Sequence, residues 1–266
     1  MNNTPHTNCL TLRLLHAAKG YKAVAFDIFD TLLKRDCARP ADLFALMEVT
    51  HQAALGFAET RVAAEAETRQ TLGREVTLAE IYAHPALRGT DPAAECAAEL
   101  AMIAPNRPVA QAAAACHARG QKVYAVSDMY LPKTQIEAML QKCGLDFLDG
   151  VFVSCEYGVQ KRSGKLFKLF LQQTALRPAE VLFVGDNPRA DFAGAALAGI
   201  RCFLLPQPTP LPYTKTPADA VGGVAIDTLQ NCCQNLSPSA ALGAELLGPL
   251  AVGFATWLHG QRAAIP

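Results

Sequence analysis

The chain has 266 residues, of which 51% are hydrophobic and 18% are charged, and 24 basic residues balance 24 acidic ones. This composition excludes a disordered chain and supports one large domain or a core domain with an insertion. Zero net charge favours neither nucleic acid nor an anionic membrane surface as a partner. The nine cysteines show no metal-ligand spacing, so we expect reduced thiols and a cytoplasmic location.

Short apolar segments alternate with helical patterns along most of the chain. Strands are predicted at residues 23–27, 122–127, 151–154, 181–185 and 201–205, and helices at 108–119, 133–143, 164–173 and 189–198. Uninterrupted apolar strands are typical of a parallel sheet that is buried on both faces. The alternation therefore predicts an α/β fold with a central parallel sheet and right-handed connections.

Residues 36–105 interrupt this alternation with a long stretch of helical composition, including a helix predicted at 57–72. A module inserted after the first strand would lie over the carboxyl end of that strand, where a lid belongs. Arg61 and Arg69 share one face of the predicted helix with Glu65. Both arginines are candidates for binding a distal anionic group of a substrate. The alternative is that they pair with Glu65 on an exposed helix face.

The last part of the chain has a different character. Five prolines between Pro206 and Pro217 predict a linker. Residues 242–258 form an apolar pattern that a Gly-Pro pair breaks, which favours a buried or docking pair of helices over a membrane span. We therefore expect residues 206–266 to be a linker and a helical extension that contacts a second copy of the chain or a partner protein.

Two of the predicted strands end at groups that can bind an ion. The first strand runs directly into Asp27, so its carboxylate lies at the edge of the sheet where open α/β folds hold their ligands. Such a carboxylate acts as a metal ligand, a nucleophile or both, or it caps the next helix. The second strand ends at Ser127, whose hydroxyl can donate to a bound oxyanion or cap a helix.

Two further signals follow the third and fourth strands. Lys161 comes after a glycine-containing turn and can neutralise a carboxylate and a phosphoryl group together. Lys165 competes for this role, and a solvated surface lysine is the alternative for both. The fourth strand enters Gly185 and Asp186, with Asp191 shortly after. Carboxylates on a tight turn suit Mg²⁺, and a helix cap is the alternative for Asp186.

The order of these signals, an acid, a hydroxyl, a lysine and a pair of acids at or near successive strand ends, resembles the haloacid dehalogenase (HAD) superfamily over residues 20–205. Within the superfamily the chain is most similar to a bacterial branch of predicted hydrolases associated with surface-polysaccharide glycosyltransferases. The similar segments are Phe26–Leu32 (FDIFDTL), Ser127–Pro132 (SDMYLP), Gly158–Phe167 and Gly185–Asp191.

This resemblance implies a domain organisation. A Rossmann-like core would comprise residues 1–35 and 106–205, and a helical cap would be inserted at 36–105. The extension at 206–266 would then be the segment that meets a glycosyltransferase or another copy of the chain.

The resemblance also implies a mechanism, that of a Mg²⁺-dependent phosphomonoester hydrolase. Asp27 would attack phosphorus and form an aspartyl-phosphate, which water then hydrolyses. Ser127 and Lys161 would stabilise charge on the phosphoryl group. The substrate would be a small phosphorylated metabolite such as a sugar phosphate. Mg²⁺ would be held by Asp27, Asp186 and the backbone carbonyl of Phe29, with Asn187 and Asp191 supporting these groups and Asp191 orienting Lys161 or a metal-bound water.

Phe29 departs from this pattern. Phosphatases of the superfamily usually carry a second aspartate two residues after the nucleophile, which protonates the leaving alcohol. Here that position is Phe29, and the next residue is Asp30. Either Asp30, water or the substrate supplies the proton, or the site handles an easier leaving group, or the protein is a catalytically weak binding or assembly subunit of a polysaccharide-synthesis system. Dehalogenases also lack this aspartate, but they tend to lose the Gly-Asp turn that is present at Gly185.

Overall fold

The structure is a computed structural model that describes residues 9–37 and 39–205, together with the isolated residues 243, 251 and 254. The predicted linker and C-terminal helices therefore fall outside the continuously described ranges. Within the described part of the chain, none of the helices has both the length and the apolar character that crossing a bilayer requires.

The described elements alternate as the sequence predicts for an α/β protein. The strands are β1 (Ala23–Phe26), β2 (Leu33–Arg35), β3 (Ile103–Pro105), β4 (Lys122–Ser127), β5 (Gly150–Val153), β6 (Val181–Gly185) and β7 (Arg201–Leu204). The helices are α1 (Cys9–Ala17), α2 (Asp42–Val49), α3 (Phe57–Leu72), α4 (Leu78–Tyr82), α5 (Pro92–Ala101), α6 (Arg107–Ala118), α7 (Lys133–Lys142), α8 (Ser154–Tyr157), α9 (Lys165–Thr174) and α10 (Gly194–Leu197).

Five strands form one parallel sheet in the order β5-β4-β1-β6-β7, which confirms the predicted fold class. The central strand β1 pairs with β4 on one side and with β6 on the other. Residues that follow these three strands therefore meet at the same edge of the sheet. This topology is what brings distant parts of the sequence to one site.

The sheet is covered on both faces, which explains its uninterrupted apolar strands. Val24 and Phe26 of β1 join the apolar cluster that includes residues of α1, α6 and α7. Ala23 and Ala25, which point the other way because side chains alternate along a strand, join the cluster that includes residues of α9 and α10. The central strand is thus fixed from both sides and forms a rigid base for the residue that follows it.

The described stretch after β2 carries four α-helices, α2 to α5, and ends with β3, and we call residues 36–105 the helical segment. It has an apolar cluster of its own, which includes Phe44, Phe57 and Ile81. β2 and β3 pair as an antiparallel ribbon, so the two ends of the segment leave the sheet side by side. The helix predicted at 57–72 is present at those residues, whereas α5 and the three-residue strands were not predicted.

The helix predicted at 189–198 takes a different form. A π-helical turn at Pro188–Ala193 precedes the short helix α10. Wide turns of this kind occur mostly as local insertions, often at functional sites. Here the turn carries Asp191, whose side chain is completely buried and folds back towards the end of β6.

Candidate active site

Asp27 follows the central strand directly and is only 8% exposed. Its amide donates to the carbonyl of Val184 at 2.8 Å, so the pairing with β6 continues up to this residue. The chain then turns, and the amide of Ile28 donates to Asp27 Oδ1 at 2.8 Å. The carboxylate is therefore held in a fixed position beyond the strand end.

Lys161 reaches this carboxylate from the loop after α8. Its Nζ lies 2.7 Å from Asp27 Oδ1 and 2.6 Å from Asp191 Oδ1, and its side chain is 2% exposed. Burial alone would lower the pKa of the ammonium, but Asp27 and Asp191 together hold that pKa above its usual range. Lys165 is exposed, at the start of α9. Of the two candidate lysines, the structure thus brings Lys161 to Asp27.

The carboxylate of Asp191 is held by the turn after β6. Its Oδ2 accepts hydrogen bonds from the amides of Asp186 and Asn187, both at 2.9 Å. It lies so close to Gly185 that a Cβ on that residue would be 2.3 Å from Oδ2. Glycine is required at position 185 because any side chain would displace the carboxylate that pairs with Lys161.

Asp186 completes a group of acids. Its Oδ1 accepts a hydrogen bond from the hydroxyl of Thr31 at 3.2 Å. Carboxylate oxygens of Asp27, Asp186 and Asp191 all lie within 4.8 Å of one another. The pKa of Asp27 is raised to about 7 and that of Asp186 to about 6, because burial first and nearby carboxylates second together outweigh the lowering effect of Lys161. Three carboxylates around one ammonium leave an excess of negative charge, and hard oxygen donors of this kind suit Mg²⁺.

Two residues that the sequence analysis did not identify position the loop of Lys161. Asp128 accepts a hydrogen bond from the Lys161 amide at 2.8 Å. Gly194 packs against the same residue, since a Cβ at this position would lie 2.3 Å from the Lys161 carbonyl oxygen. Asp128 could have been identified from the sequence, because it directly follows Ser127 at the end of a predicted strand. Nothing in the sequence pattern distinguishes Gly194 from other glycines.

The remaining predicted residues lie around this centre. Ser127 is buried at the end of β4, the neighbour of β1 in the sheet. The Asn187 side chain accepts from the amides of Arg189 and Ala190, so it caps the turn that carries Asp191. Asp30 has a positive φ of 59°, and its carboxylate lies 3.7 Å from Lys34 Nζ. The Phe29 ring is buried with the apolar core.

Comparison with known proteins agrees with this geometry. The family model for haloacid dehalogenase-like hydrolases matches residues 21–199, which is more than half of the chain. The chain belongs to this family.

Individual relatives of this hydrolase are distant. A phosphoserine phosphatase of Thermus thermophilus is 43% identical over 51 residues, which cover 19% of this chain and 20% of that enzyme. A HAD family enzyme of Bacteroides thetaiotaomicron in complex with magnesium and inorganic phosphate has a TM-score of 0.50 at 16% identity, over 70% of this chain and 94% of the other. A dehalogenase with an intermediate complex has a TM-score of 0.51 at 16% identity, over 73% and 89%. Both structural likenesses show the shared fold and do not distinguish phosphatase from dehalogenase.

Arg61 was expected either to bind a substrate anion or to pair with Glu65 on an exposed helix face, and it is instead buried. Its side chain is completely buried inside the helical segment of the hydrolase and donates to Glu95 at 2.7 and 2.8 Å and to Glu65 at 3.0 Å. The predicted pairing with Glu65 is present, but the expected exposed helix face is wrong for Arg61. Three hydrogen bonds and complete burial give Arg61 a structural role inside the helical segment, and this burial does not support the predicted contact with substrate. Arg69 pairs with Glu65 and Glu75 and remains 30% exposed.

The helical segment contacts the loops that carry the site. Glu75, which is 2% exposed, accepts a hydrogen bond from the Gln160 side chain at 2.8 Å, next to Lys161. The amide of Leu78 donates to the carbonyl of Tyr130 at 2.8 Å, in the loop that begins at Ser127. The segment is therefore docked on two of the four loops that form the site.

The close contact at Gly194 leads to a first prediction. We expect Gly194→Ala to destabilise the hydrolase by about 1–3 kcal/mol, because the new methyl group must displace backbone atoms of Lys161. Gly150→Ala is the matched control, since its Cβ would meet only side-chain atoms at 3.4 Å or more. Urea unfolding measures both. Equal midpoints for the two variants would show that the loop of Lys161 is not confined at this point.

Proposed function

We propose that this hydrolase is a Mg²⁺-dependent phosphatase that forms an aspartyl-phosphate on Asp27 and acts on a small phosphorylated metabolite. The observation that carries the proposal is the contact of Asp27 with Lys161 beside the turn of Asp186 and Asp191. A buried carboxylate paired with an ammonium suits a phosphoryl group, because the same ammonium can also stabilise the negative charge on the incoming phosphoryl oxygens. The phosphoserine phosphatase relative supports the same class of reaction.

The residues around Asp27 fit a divalent ion. Asp27 and Asp186 would hold Mg²⁺ together with the backbone carbonyl of Phe29, and the magnesium and phosphate complex of the Bacteroides relative supports this choice of metal. When bound, the ion supplies positive charge that offsets the repulsion between the acids and the phosphoryl oxygens. Asp191 serves differently, because its oxygens already accept from Lys161 and from two backbone amides.

Four residues of the chain have separate roles in the two chemical steps. Asp27 attacks phosphorus in line with the leaving oxygen, and the bond to that oxygen breaks with its electron pair. Lys161 and Ser127 stabilise the charge on the transferring group, and Asp191 keeps Lys161 in place. Water then attacks the phosphorus of the aspartyl-phosphate and returns the carboxylate of Asp27.

We further propose that the helical segment 36–105 is a cap over a core formed by residues 1–35 and 106–205. Its contacts with the loops of Tyr130 and Gln160 support this assignment, because a cap must meet the loops that hold the substrate. Arg69, partly exposed on α3, is the remaining candidate for a distal anionic group of the substrate. The free thiols among the described cysteines support a reducing, cytoplasmic location.

A second function is favoured by one observation, the phenylalanine at position 29. A family member that releases its leaving group poorly can persist as a binding or assembly subunit, here of a polysaccharide-synthesis system with a glycosyltransferase partner. Such a protein would bind phosphorylated ligands at the same site without turning them over.

Hydrolysis of para-nitrophenyl phosphate with and without Mg²⁺ separates the two functions. We expect Mg²⁺-dependent turnover that Asp27→Asn abolishes, because the amide cannot form the phosphoenzyme. Glu137→Gln, an exposed carboxylate on α7, is the matched control and should retain full activity. Turnover that ignores Mg²⁺, or that survives Asp27→Asn, would refute the phosphatase. Phosphate binding with no turnover at all would favour the second function.

The raised pKa values of Asp27 and Asp186 predict how Mg²⁺ binding depends on pH. Below about pH 6 both groups bind protons in the metal-free protein, with pKa values of about 7 and about 6, and Mg²⁺ must displace those protons. Apparent affinity should therefore rise about tenfold or more between roughly pH 6 and pH 8. The Mg²⁺-induced shift in Tm measures this at both pH values. Asp186→Asn should show little shift at either, and a shift in the wild type that is independent of pH would contradict the prediction.

A further inference from the structure

The position two residues after Asp27 is filled by a ring that the structure holds firmly. Phe29 is 8% exposed, and Cζ of Arg35 lies 3.8 Å from the centre of its ring. Arg35 in turn makes two hydrogen bonds to Glu99, at 3.0 and 3.2 Å, and these two side chains are only 8% and 1% exposed. A ring packed beneath a buried, bidentate ion pair does not leave space for a water molecule in its place.

The next residue, Asp30, is directed towards a cation. Its backbone is in the left-handed region, with φ of 59°, and its half-exposed carboxylate faces Lys34 across 3.7 Å. The carboxylate therefore lies in a surface ion pair, where it serves as an acceptor.

The other carboxylates around Asp27 are engaged as acceptors in the same way. Asp191 forms an ion pair with the Lys161 ammonium through Oδ1 and accepts from two amides through Oδ2. Asp186 accepts from the hydroxyl of Thr31, and Asp128 accepts from the amide of Lys161. In each of these contacts the described carboxylate is the acceptor, and none of them is a proton donor.

An alcohol cannot leave phosphorus readily without a proton, because an alkoxide is far too basic. We propose that this hydrolase acts on phosphoryl compounds whose leaving oxygen departs unprotonated, namely acyl, enol or aryl phosphates and phosphoric anhydrides. The conjugate acids of these leaving groups have pKa values of about 10 or lower, the value of a phenol. The inference rests on the proposed role of Asp27, and it sets unactivated alkyl phosphates aside as substrates.

The two steps balance without an acid from the protein. In the first, a bond forms between Asp27 Oδ and phosphorus, and the bond from phosphorus to the leaving oxygen breaks with its electron pair, giving a carboxylate, enolate, phenolate or phosphate. In the second, a water oxygen bonds to phosphorus, and the bond to Asp27 breaks with its electrons returning to the carboxylate. Both protons of that water leave with the product, which forms as dihydrogen phosphate and then equilibrates with the solvent.

The experiment is a leaving-group series measured with the full-length protein and Mg²⁺. Its probes are acetyl phosphate, para-nitrophenyl phosphate, phenyl phosphate and ethyl phosphate, in order of rising leaving-group basicity. We expect kcat/KM to fall steeply along the series, with ethyl phosphate at least about 10³-fold slower than para-nitrophenyl phosphate, since general acid catalysis worth about 10²–10⁴-fold is missing. Ethyl phosphate hydrolysed within tenfold of para-nitrophenyl phosphate would overturn the inference while leaving the phosphatase intact.

Variants at the two positions sharpen the test. Phe29→Asp should accelerate the hydrolysis of ethyl phosphate selectively, so kcat/KM should depend less on the leaving group. Phe29→Leu removes the ring without adding an acid, so kcat/KM should still fall steeply along the series. A folded Phe29→Asp protein with an unchanged slope would overturn the inference, and so would an Asp30→Asn protein that loses activity on ethyl phosphate alone. If Phe29→Asp does not fold, the wild-type series still decides. No turnover of any probe would overturn both the inference and the proposed function.

Discussion

Replacing Lys161 by methionine is expected to lower kcat/KM for para-nitrophenyl phosphate by about 10²–10³-fold, the usual effect of removing one donor that stabilises transition-state charge. The side chain is buried between Asp27 and Asp191, and methionine fills a similar volume without the charge. Lys165→Met is the matched control, because Lys165 is exposed four residues further along the same segment. We expect that control to keep its activity within about twofold.

Two outcomes separate loss of catalysis from loss of the metal site. Removing the ammonium leaves the acidic group one charge more negative, so Mg²⁺ should still raise Tm and should bind at least as tightly as in the wild type. A Lys161→Met protein that no longer responds to Mg²⁺ would show that the lysine supports the metal site instead. Equal losses of activity in Lys161→Met and Lys165→Met would contradict the assignment of the lysine altogether.

Replacing Arg61 by methionine should destabilise the helical segment by about 3–5 kcal/mol, because it leaves Glu95 charged and buried without its partner. Glu95 is completely buried, and Arg61 also lies over the rings of Phe44 and Tyr130, at 4.9 and 4.8 Å. Hydrogen exchange should show faster exchange within α3 and α5, since this segment has its own apolar cluster.

A double variant and a surface variant test the cause. Arg61→Met with Glu95→Gln should recover much of the lost stability, because the unpaired charge is removed. Arg74→Met breaks an ion pair with Glu80 that is substantially exposed, so it should lower stability far less than Arg61→Met does. If the double variant is as unstable as Arg61→Met alone, packing rather than charge explains the effect of Arg61.

The sheet, and the edge at which Asp27 and Asp186 meet, could be predicted because each buried parallel strand is a continuous apolar run. Asp27 and Asp186 were placed by the same signal, since each follows such a run at once. The central sheet of the structure agrees in strand position to within about one residue. The strand pattern therefore predicts well at which edge of the sheet the carboxylates of Asp27 and Asp186 lie.

Partners that are distant in sequence could not be predicted. Arg61 looked like a surface residue because its i+4 neighbour is Glu65, whereas its buried partner Glu95 lies 34 residues away, in a helix whose alanine-rich sequence has no clear period. The ribbon of β2 and β3 has only three residues in each strand, too few for a periodic signal. Gly194 matters only because the folded chain brings Lys161 against it.

The hydrogen bonds that Gln160 donates to Glu75 and that Leu78 donates to Tyr130 have a consequence for affinity. The loops that receive these bonds are the same ones that carry Lys161 and Ser127. An anion that orders the two loops must therefore favour docking of the helical segment, and docking must favour the anion by an equal factor, because coupling between two binding equilibria is reciprocal. If the site binds a phosphoryl group as proposed, a change on the outer surface of the segment can in this way alter that affinity without touching a residue of the site.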